Sequence, residues 1–174
     1  MSVAVCSLKW DEATAPTQKI TYDADGYHLV RFPYTADCES YDPWGMHEPA
    51  SGGTLASKYP DARSGLIWPS HAGWGVVSAL VFWEADDDAL EYRARFVRDP
   101  LRLTPDGYDS TATTDMAPTR GGQYRSYMWQ MFVTPGVPIG FKVSARGAGD
   151  VKLATPITLA EFKLAIHTDV LTPV

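Results

Sequence analysis

Apolar and polar residues alternate with a two-residue period along much of this chain, as is typical of half-buried β-strands. In residues 90–97, every second side chain from Leu90 to Phe96 is apolar, and Glu or Arg lies between them. Residues 76–83 (VVSALVFW) are apolar on both faces except for Ser78, which predicts a central strand covered on both sides. An acidic turn at residues 84–89 separates the two segments, so we predict that they pair as a hairpin.

The same pattern predicts further strands. Residues 137–145 alternate, and an aromatic run at 124–133 precedes them across a Thr-Pro-Gly turn. Residues 19–22 and 27–34 flank Asp-Ala-Asp-Gly, a hairpin signal, and residues 65–68 form one more short strand. Residues 158–168 contain helix formers, but their alternation favours a strand over a helix. About eight short strands without a long helix predict an all-β antiparallel sandwich.

Two segments lack this strand rhythm, residues 35–63 and 99–122, and we interpret them as two long loops of a single domain at 18–174. The first loop is unusually aromatic. It either folds back over the end of its own sandwich or binds a partner. Residues 1–17 are short and polar apart from Trp10, so we expect an N-terminal arm that orders on a partner.

The composition excludes several functional classes. Lys and Arg number 15 against 21 Asp and Glu, which gives a formal net charge of −6. A protein that binds nucleic-acid phosphates normally carries the opposite sign. The first residues lack the pattern of a signal peptide, and no apolar run reaches membrane-spanning length. We therefore expect no nucleic-acid or membrane partner, and synthesis in the cytoplasm without an export signal.

No catalytic or metal-binding motif occurs in the sequence. The phosphate loop, the nucleophile elbow and the zinc-protease and dinucleotide signatures are missing, and no His-x-His pair is present. Cys6 and Cys38 have no Cys or His neighbours at metal-ligand spacing. A carbohydrate-cleaving enzyme would need paired carboxylates across a cleft, and nothing nominates such a pair. We therefore predict a protein that is not an enzyme and has no catalytic residue, cofactor or metal.

Two charged clusters have simpler explanations. Three consecutive aspartates at 86–88 lack the spacing of a calcium loop and are interpreted as a solvated turn. Arg93, Arg95 and Arg98 form a short basic row, which we expect to pair with acidic groups of the same chain.

Several segments resemble one known family. Residues 66–83 (LIWPSHAGWGVVSALVFW) resemble the part of the tumour-necrosis-factor/complement-type jelly roll in which a short strand and a glycine-aromatic turn lead into a central strand. Residues 127–145 are similar to that family's penultimate hairpin, and residues 158–166 to its closing strand. Residues 27–46 resemble the entry region of tailed-phage structural proteins with this jelly roll. The resemblance spans about residues 18–170, leaves 99–122 without a counterpart and implies an antiparallel jelly-roll sandwich.

The resemblance also implies a compact homotrimer with one sheet facing the threefold axis. Aromatic residues and Met are favoured in buried interface cores, although they fill monomer cores equally well. The candidate residues for the trimer interface are Tyr127, Trp129 and Met131.

From this resemblance we expect a virion structural protein. The leading hypothesis is a trimeric capsid decoration (cement) protein that binds the major capsid protein on the outer capsid surface. The alternative is a tail-tip or baseplate module that binds a receptor glycan, with Tyr41 and Trp44 stacking on sugar rings. The candidate partner-binding loop contains Tyr41, Trp44 and Met46.

Overall fold

The computed structural model describes residues 2–47, 57–105 and 107–168. Within these residues the chain forms β-strands joined by turns, loops and two short 3₁₀ segments at Ala62–Gly65 and Ala148–Asp150. The strands are β1 (Val3–Asp11), β2 (Gln18–Lys19), β3 (His28–Leu29), β4 (Leu66–Ile67), β5 (Gly73–Trp83), β6 (Glu91–Arg98), β7 (Asp109–Ser110), β8 (Thr114–Met116), β9 (Gln123–Val133), β10 (Ile139–Arg146) and β11 (Pro156–His167).

The strands form two antiparallel sheets. Sheet A has the order β1-β11-β5-β9, with β2 beside β11. Sheet B has the order β3-β10-β6-β7, with β4 on β10 and β8 on β6. The predicted all-β antiparallel sandwich is confirmed. Three strands come in addition to the expected eight: β1 lies in the predicted arm, and β7 and β8 lie in the predicted loop 99–122.

The inner faces of the two sheets bury one apolar core. Phe96 and Phe141 of sheet B pack against Phe162 of sheet A, with ring centroids 6.1 and 6.3 Å from that of Phe162. Phe162, Leu164 and Ile166 on alternate positions of β11 are fully buried, which confirms that this segment is a strand and not a helix. Leu90, expected to face the core, is 61% exposed because β6 begins at Glu91.

The predicted hairpins are wrong, although their strands exist. β5 lies in sheet A and β6 in sheet B, and the pairs β2/β3 and β9/β10 are divided in the same way. The acidic turn carries the chain across the sandwich instead of back along the same sheet. Trp83 at the end of β5 stacks on Tyr92 of β6, with the rings parallel and their centroids 4.1 Å apart. This stack joins the two sheets.

The N-terminal residues differ from the predicted arm, because residues 3–11 form β1 and pair with β11 over nine positions. Alternate side chains of β1 enter the core, and Leu8 and Trp10 are at most 2% exposed. The pattern is hard to recognise in sequence because Ala4 and Cys6 are small. The free edge of β1 is covered by the first long loop, of which residues 48–56 lie outside the described part of the chain.

We predict that Trp10→Ala lowers the free energy of unfolding by about 3–5 kcal/mol, because it removes a buried indole from the core. Lys9→Ala is the matched control, since Lys9 is the exposed neighbour on the same strand and should change stability by less than about 0.5 kcal/mol. Urea unfolding of the two variants measures both values. Equal stability of Trp10→Ala and the unmodified protein would show that residues 1–17 are an arm after all.

Candidate interaction surface

The outer face of sheet A is the side turned away from sheet B. Strand register places its side chains in rows that cross all four long strands. One row joins Val3, His167, Trp74 and Phe132, and another joins Asp11, Leu159, Phe82 and Tyr124. The central row joins Ser7, Lys163, Ser78 and Met128. This face therefore has apolar rows at both ends and a mixed centre.

Large apolar side chains on this face are exposed to solvent. Met128 is 69% exposed, and Tyr124, Phe132 and Trp74 are between 44% and 63% exposed. Single exposed apolar residues are normal on a monomer, but several large apolar side chains exposed on one face of a sheet indicate an interaction site. The sequence predicts that residues 76–83 are covered on both faces. In the described structure sheet B covers the inner face of this strand, and the outer face is left partly exposed.

Two oppositely charged side chains lie in the middle of the outer face. The Lys163 ammonium is 2.5 Å from a Glu161 carboxylate oxygen, and both side chains are partly exposed. An exposed pair of this kind contributes little to stability, about 0–1 kcal/mol. Its neighbours, Lys9 and Leu80, flank it across the sheet. This ion pair thus lies near the centre of the face, between the two end rows, one of which ends in Asp11.

The structure separates the three candidate trimer-interface residues. Tyr127 and Met131 point into the sandwich and are 6% and 7% exposed, so they fill the monomer's core. Trp129 shares their phase along β9 but is 47% exposed, because β9 is the edge strand of sheet A. The opposite phase of β9 holds the outward residues Tyr124, Met128 and Phe132. The sequence analysis missed these, since both phases of this run are aromatic.

The candidate partner-binding loop is also divided. Tyr41 and Trp44 are 57% and 51% exposed, whereas Met46 is buried. The backbone of the loop is firmly held: the N–H groups of Met46 and His47 donate to the Asp42 carboxylate at 2.9 and 2.8 Å. The Trp44 ring meets His71 edge-on at 5.2 Å. The loop therefore presents two exposed aromatic rings from a fixed turn.

His47 fastens the same loop to the body of the sandwich. Its two ring nitrogens lie 2.8 Å from a Glu39 carboxylate oxygen and 2.9 Å from the Ser64 carbonyl oxygen. Its ring stacks on Tyr34 at 4.4 Å. This position, predicted as a surface or packing residue, is a buried packing residue.

The outer face of sheet B is covered by ion pairs of the chain's own residues. Lys142 is 1% exposed, and its ammonium contacts Asp23 and Asp25 at 2.9 and 2.7 Å. Arg95 donates to the same Asp25 oxygen at 2.6 Å while its guanidinium lies 3.8 Å from the Tyr27 ring centroid. The expected intramolecular pairing of the basic row is confirmed, because Arg93, Arg95 and Arg98 all have carboxylate partners.

Asp25 is the centre of this network. Burial alone would raise its pKa, but hydrogen bonds from Lys142 and Tyr108 and the charge of Arg95 hold the pKa of this carboxyl below its usual value. Burial and the same hydrogen bond to Asp25 raise the pKa of Tyr108 to about 12. The network thus holds the loop at residues 23–27 against sheet B.

Cys6 and Cys38 are buried free thiols. Burial raises the pKa of the Cys6 thiol, and the nearby Asp42 and Glu39 carboxyls raise it further, so this thiol stays protonated and unreactive. Within the described ranges, no three His, Cys, Asp or Glu side chains are grouped so that they could hold a metal ion. Over the same residues, no helix is long and apolar enough to span a membrane.

Comparisons with known proteins identify the fold. No family model matches the chain, and no curated protein sequence matches it. Among solved structures, the globular domain of zebrafish complement 1qA is similar with a TM-score of 0.56 and 11% identity, over 95% of this chain and 97% of that one. Murine APRIL gives 0.54 and 9%, over 95% and 100%. Eiger TNF from S. frugiperda gives 0.51 and 12%, over 100% and 98%. The chain therefore has the jelly-roll fold of these proteins.

We predict that Asp25→Asn lowers the free energy of unfolding at pH 7 by about 1–3 kcal/mol, because the buried Lys142 ammonium and Arg95 lose a carboxylate partner that they share. The folded pKa of Asp25 lies below its unfolded value of about 3.9, so its contribution is present above that pH and is lost as pH falls through the folded pKa. The difference between the variant and the unmodified protein should thus shrink below about pH 4.

The control for this prediction is Asp87→Asn, an exposed aspartate in the acidic turn, which should leave stability unchanged at every pH. Thermal unfolding from pH 3 to 8 gives the comparison. A constant difference between Asp25→Asn and the unmodified protein over this range would contradict the assigned role of Asp25.

Proposed function

We propose that this protein is a homotrimeric, non-catalytic jelly-roll structural protein whose copies associate through the outer face of sheet A. One observation carries the proposal: this face of a folded domain exposes Trp74, Tyr124, Met128 and Phe132 together. Interface cores are enriched in these residue types. The jelly-roll fold also supports the proposal, because the family that the sequence resembles is expected to form homotrimers.

The energetics favour covering this face. Full burial of a large apolar side chain contributes about 1.5–3 kcal/mol relative to full exposure. Each copy offers four such side chains about half exposed. Loss of translational and rotational freedom opposes association by about 4–15 kcal/mol. Burial of these side chains in a trimer acts against that cost.

For the biological role, we propose a capsid decoration (cement) protein located on the outer surface of a virion, with the major capsid protein as its partner. A closed trimer fits threefold or quasi-threefold positions of a capsid lattice and contacts several capsid subunits at once. Each contact can then be weak while the whole assembly holds firmly. The support for a phage origin is the sequence resemblance of residues 27–46.

A second candidate function has one specific observation in its favour. Tyr41 and Trp44 are both more than half exposed on a fixed turn, as expected of aromatic rings that stack on sugars. A receptor-binding module for a glycan would use them in this way. This role requires that both rings stay exposed in the assembled trimer.

We predict that Met128→Glu combined with Phe132→Glu converts the trimer to monomers, because it buries unpaired charges in each interface. Light scattering should give three times the 19.1 kDa chain mass for the unmodified protein and the mass of one chain for the variant. Leu90→Glu combined with Val151→Glu is the matched control: both residues are exposed apolar residues outside the face, and this variant should remain trimeric. Dissociation of the control alone would contradict the assigned face.

We also predict that the purified trimer pellets with undecorated heads at fixed stoichiometry and raises their resistance to heat and chelation. Heads mixed with the Met128→Glu/Phe132→Glu variant are the control and should retain far less protein, since a monomer loses the multivalent contact. A trimer that leaves the heads unchanged but binds host cells would refute the cement role and favour receptor binding.

A further inference from the structure

His47, at the end of the loop at residues 35–47, has a buried side chain with an oxygen atom facing each of its two ring nitrogens. Nδ1 lies 2.8 Å from a Glu39 carboxylate oxygen, and Nε2 lies 2.9 Å from the Ser64 carbonyl oxygen. A carbonyl and an ionised carboxylate can only accept hydrogen bonds. A neutral imidazole donates from one nitrogen, so its other lone pair would point at an oxygen. These partners therefore fit an imidazolium, which donates from both nitrogens.

The surroundings of the ring also favour a positive charge. The Tyr34 ring stacks on the imidazole with centroids 4.4 Å apart, and the face of an aromatic ring attracts a cation. The loop contains three carboxylates, Asp37, Glu39 and Asp42, and no Lys or Arg. Asp42 accepts the backbone N–H of His47 at 2.8 Å, so two of these carboxylates lie at this residue. Without the imidazolium, the charged side chains of the loop would all be negative.

Other titratable groups lie on the elements packed around the ring. The Cys6 thiol of β1 is near the carboxyls at 39 and 42 and stays protonated, so it adds no charge. On the side of the 3₁₀ segment at Ala62–Gly65, the Arg63 guanidinium lies 5.8 Å from the Trp68 ring centroid. The Asp61 carboxylate accepts a backbone N–H at 2.9 Å. The imidazole remains the group between the two acceptors.

A second buried histidine has a different set of partners. His28 Nε2 lies 3.2 Å from the side-chain oxygen of Gln18, to which it can donate. His28 Nδ1 lies beside the Thr21 N–H at 3.2 Å and the Thr21 carbonyl at 3.1 Å, so it has a donor available when it is unprotonated. Burial lowers the pKa of His28 to about 4. The chain thus contains a neutral histidine with which His47 can be compared.

We propose that His47 is a proton-dependent clasp that positions its loop. With both nitrogens protonated, it joins Glu39 to the Ser64 carbonyl. The loop and its two exposed rings, Tyr41 and Trp44, are then held against the body of the sandwich. When the imidazolium gives one proton to the solvent, one of the two hydrogen bonds is lost and the loop loosens at this end. Histidine ordinarily changes its charge between about pH 5 and 8, so the presentation of the two rings changes over this range.

The inference goes beyond the proposed trimer and does not depend on it. ¹⁵N NMR of the full chain with labelled histidine reads the protonation of each ring. At about pH 6, we expect both His47 nitrogens to be protonated and His28 to keep one bare nitrogen. In Glu39→Gln the side-chain amide can donate to a bare Nδ1, so His47 should lose its proton at lower pH. Asp37→Asn, which removes an exposed carboxylate of the same loop, is the matched control and should leave the His47 titration in place. A His47 ring that stays in one state throughout about pH 5–8 would overturn the proposal.

Hydrogen exchange measures the loop itself. The Trp68 N–H donates to the Met46 carbonyl at 2.6 Å and joins the His47 end of the loop to the sandwich, whereas the Ala89 N–H in the acidic turn is the reference. As His47 loses its proton, protection of the Trp68 N–H should fall about ten- to hundredfold relative to the reference, as for one hydrogen bond to a charged group. His47→Gln should show the low protection without a pH step.

The two variants give independent refutations. A pH step of the same size in His47→Gln would show that another group loosens the loop. If His47→Gln does not fold, Glu39→Gln decides, because a step at the same pH as in the unmodified protein would show that the carboxylate is not the partner that holds the proton on His47.

Discussion

Strands β5 and β9 carry large apolar side chains on both of their faces, and a two-sheet sandwich can bury only one of them. The inner phase of both strands, with Val77, Trp83 and Tyr127, fills the core between the sheets. The outer phase, with Trp74, Met128 and Phe132, faces solvent in the single chain. The described residues of one copy leave this outer phase uncovered, and the proposed association follows from that constraint.

The outer faces of the two sheets differ in how far the chain itself covers them. On sheet B, the chain's own residues cover the strands, with Lys142 and Arg95 held by Asp25 from the loop at residues 23–27. On sheet A, the described residues provide a cover only at the β1 edge, where the loop at 35–47 is fastened by Asp42 and His47. These ion pairs cover the outer face of sheet B, whereas the outer face of sheet A keeps large apolar side chains exposed and is the side suited to association.

The period-two pattern was sufficient to predict the strands and the fold class, but not their partners. Alternation reports which side chains are buried, and it carries no information about whether a turn returns to the same sheet or crosses to the other. The turn at residues 84–89 illustrates this, since it joins β5 to β6 across the core by the stack of Trp83 on Tyr92. The same limit applies to β9: in QYRSYMWQMFV both phases are aromatic, so sequence alone could not decide between Tyr127 and Met128 as the outward residue. β1 escaped prediction because its inward positions include Ala4 and Cys6, and β7 and β8 because two or three residues show no periodicity.

The chain folds as a jelly roll, and the account proposed above is that two more copies cover the exposed outer face of sheet A. Sedimentation equilibrium of the unmodified protein over a hundredfold range of concentration tests this account most directly. It predicts a single species of three chains, three times the 19.1 kDa chain mass, over the upper part of the range, with any dissociation on dilution leading to single chains. A protein that sediments as one chain at every concentration would contradict it.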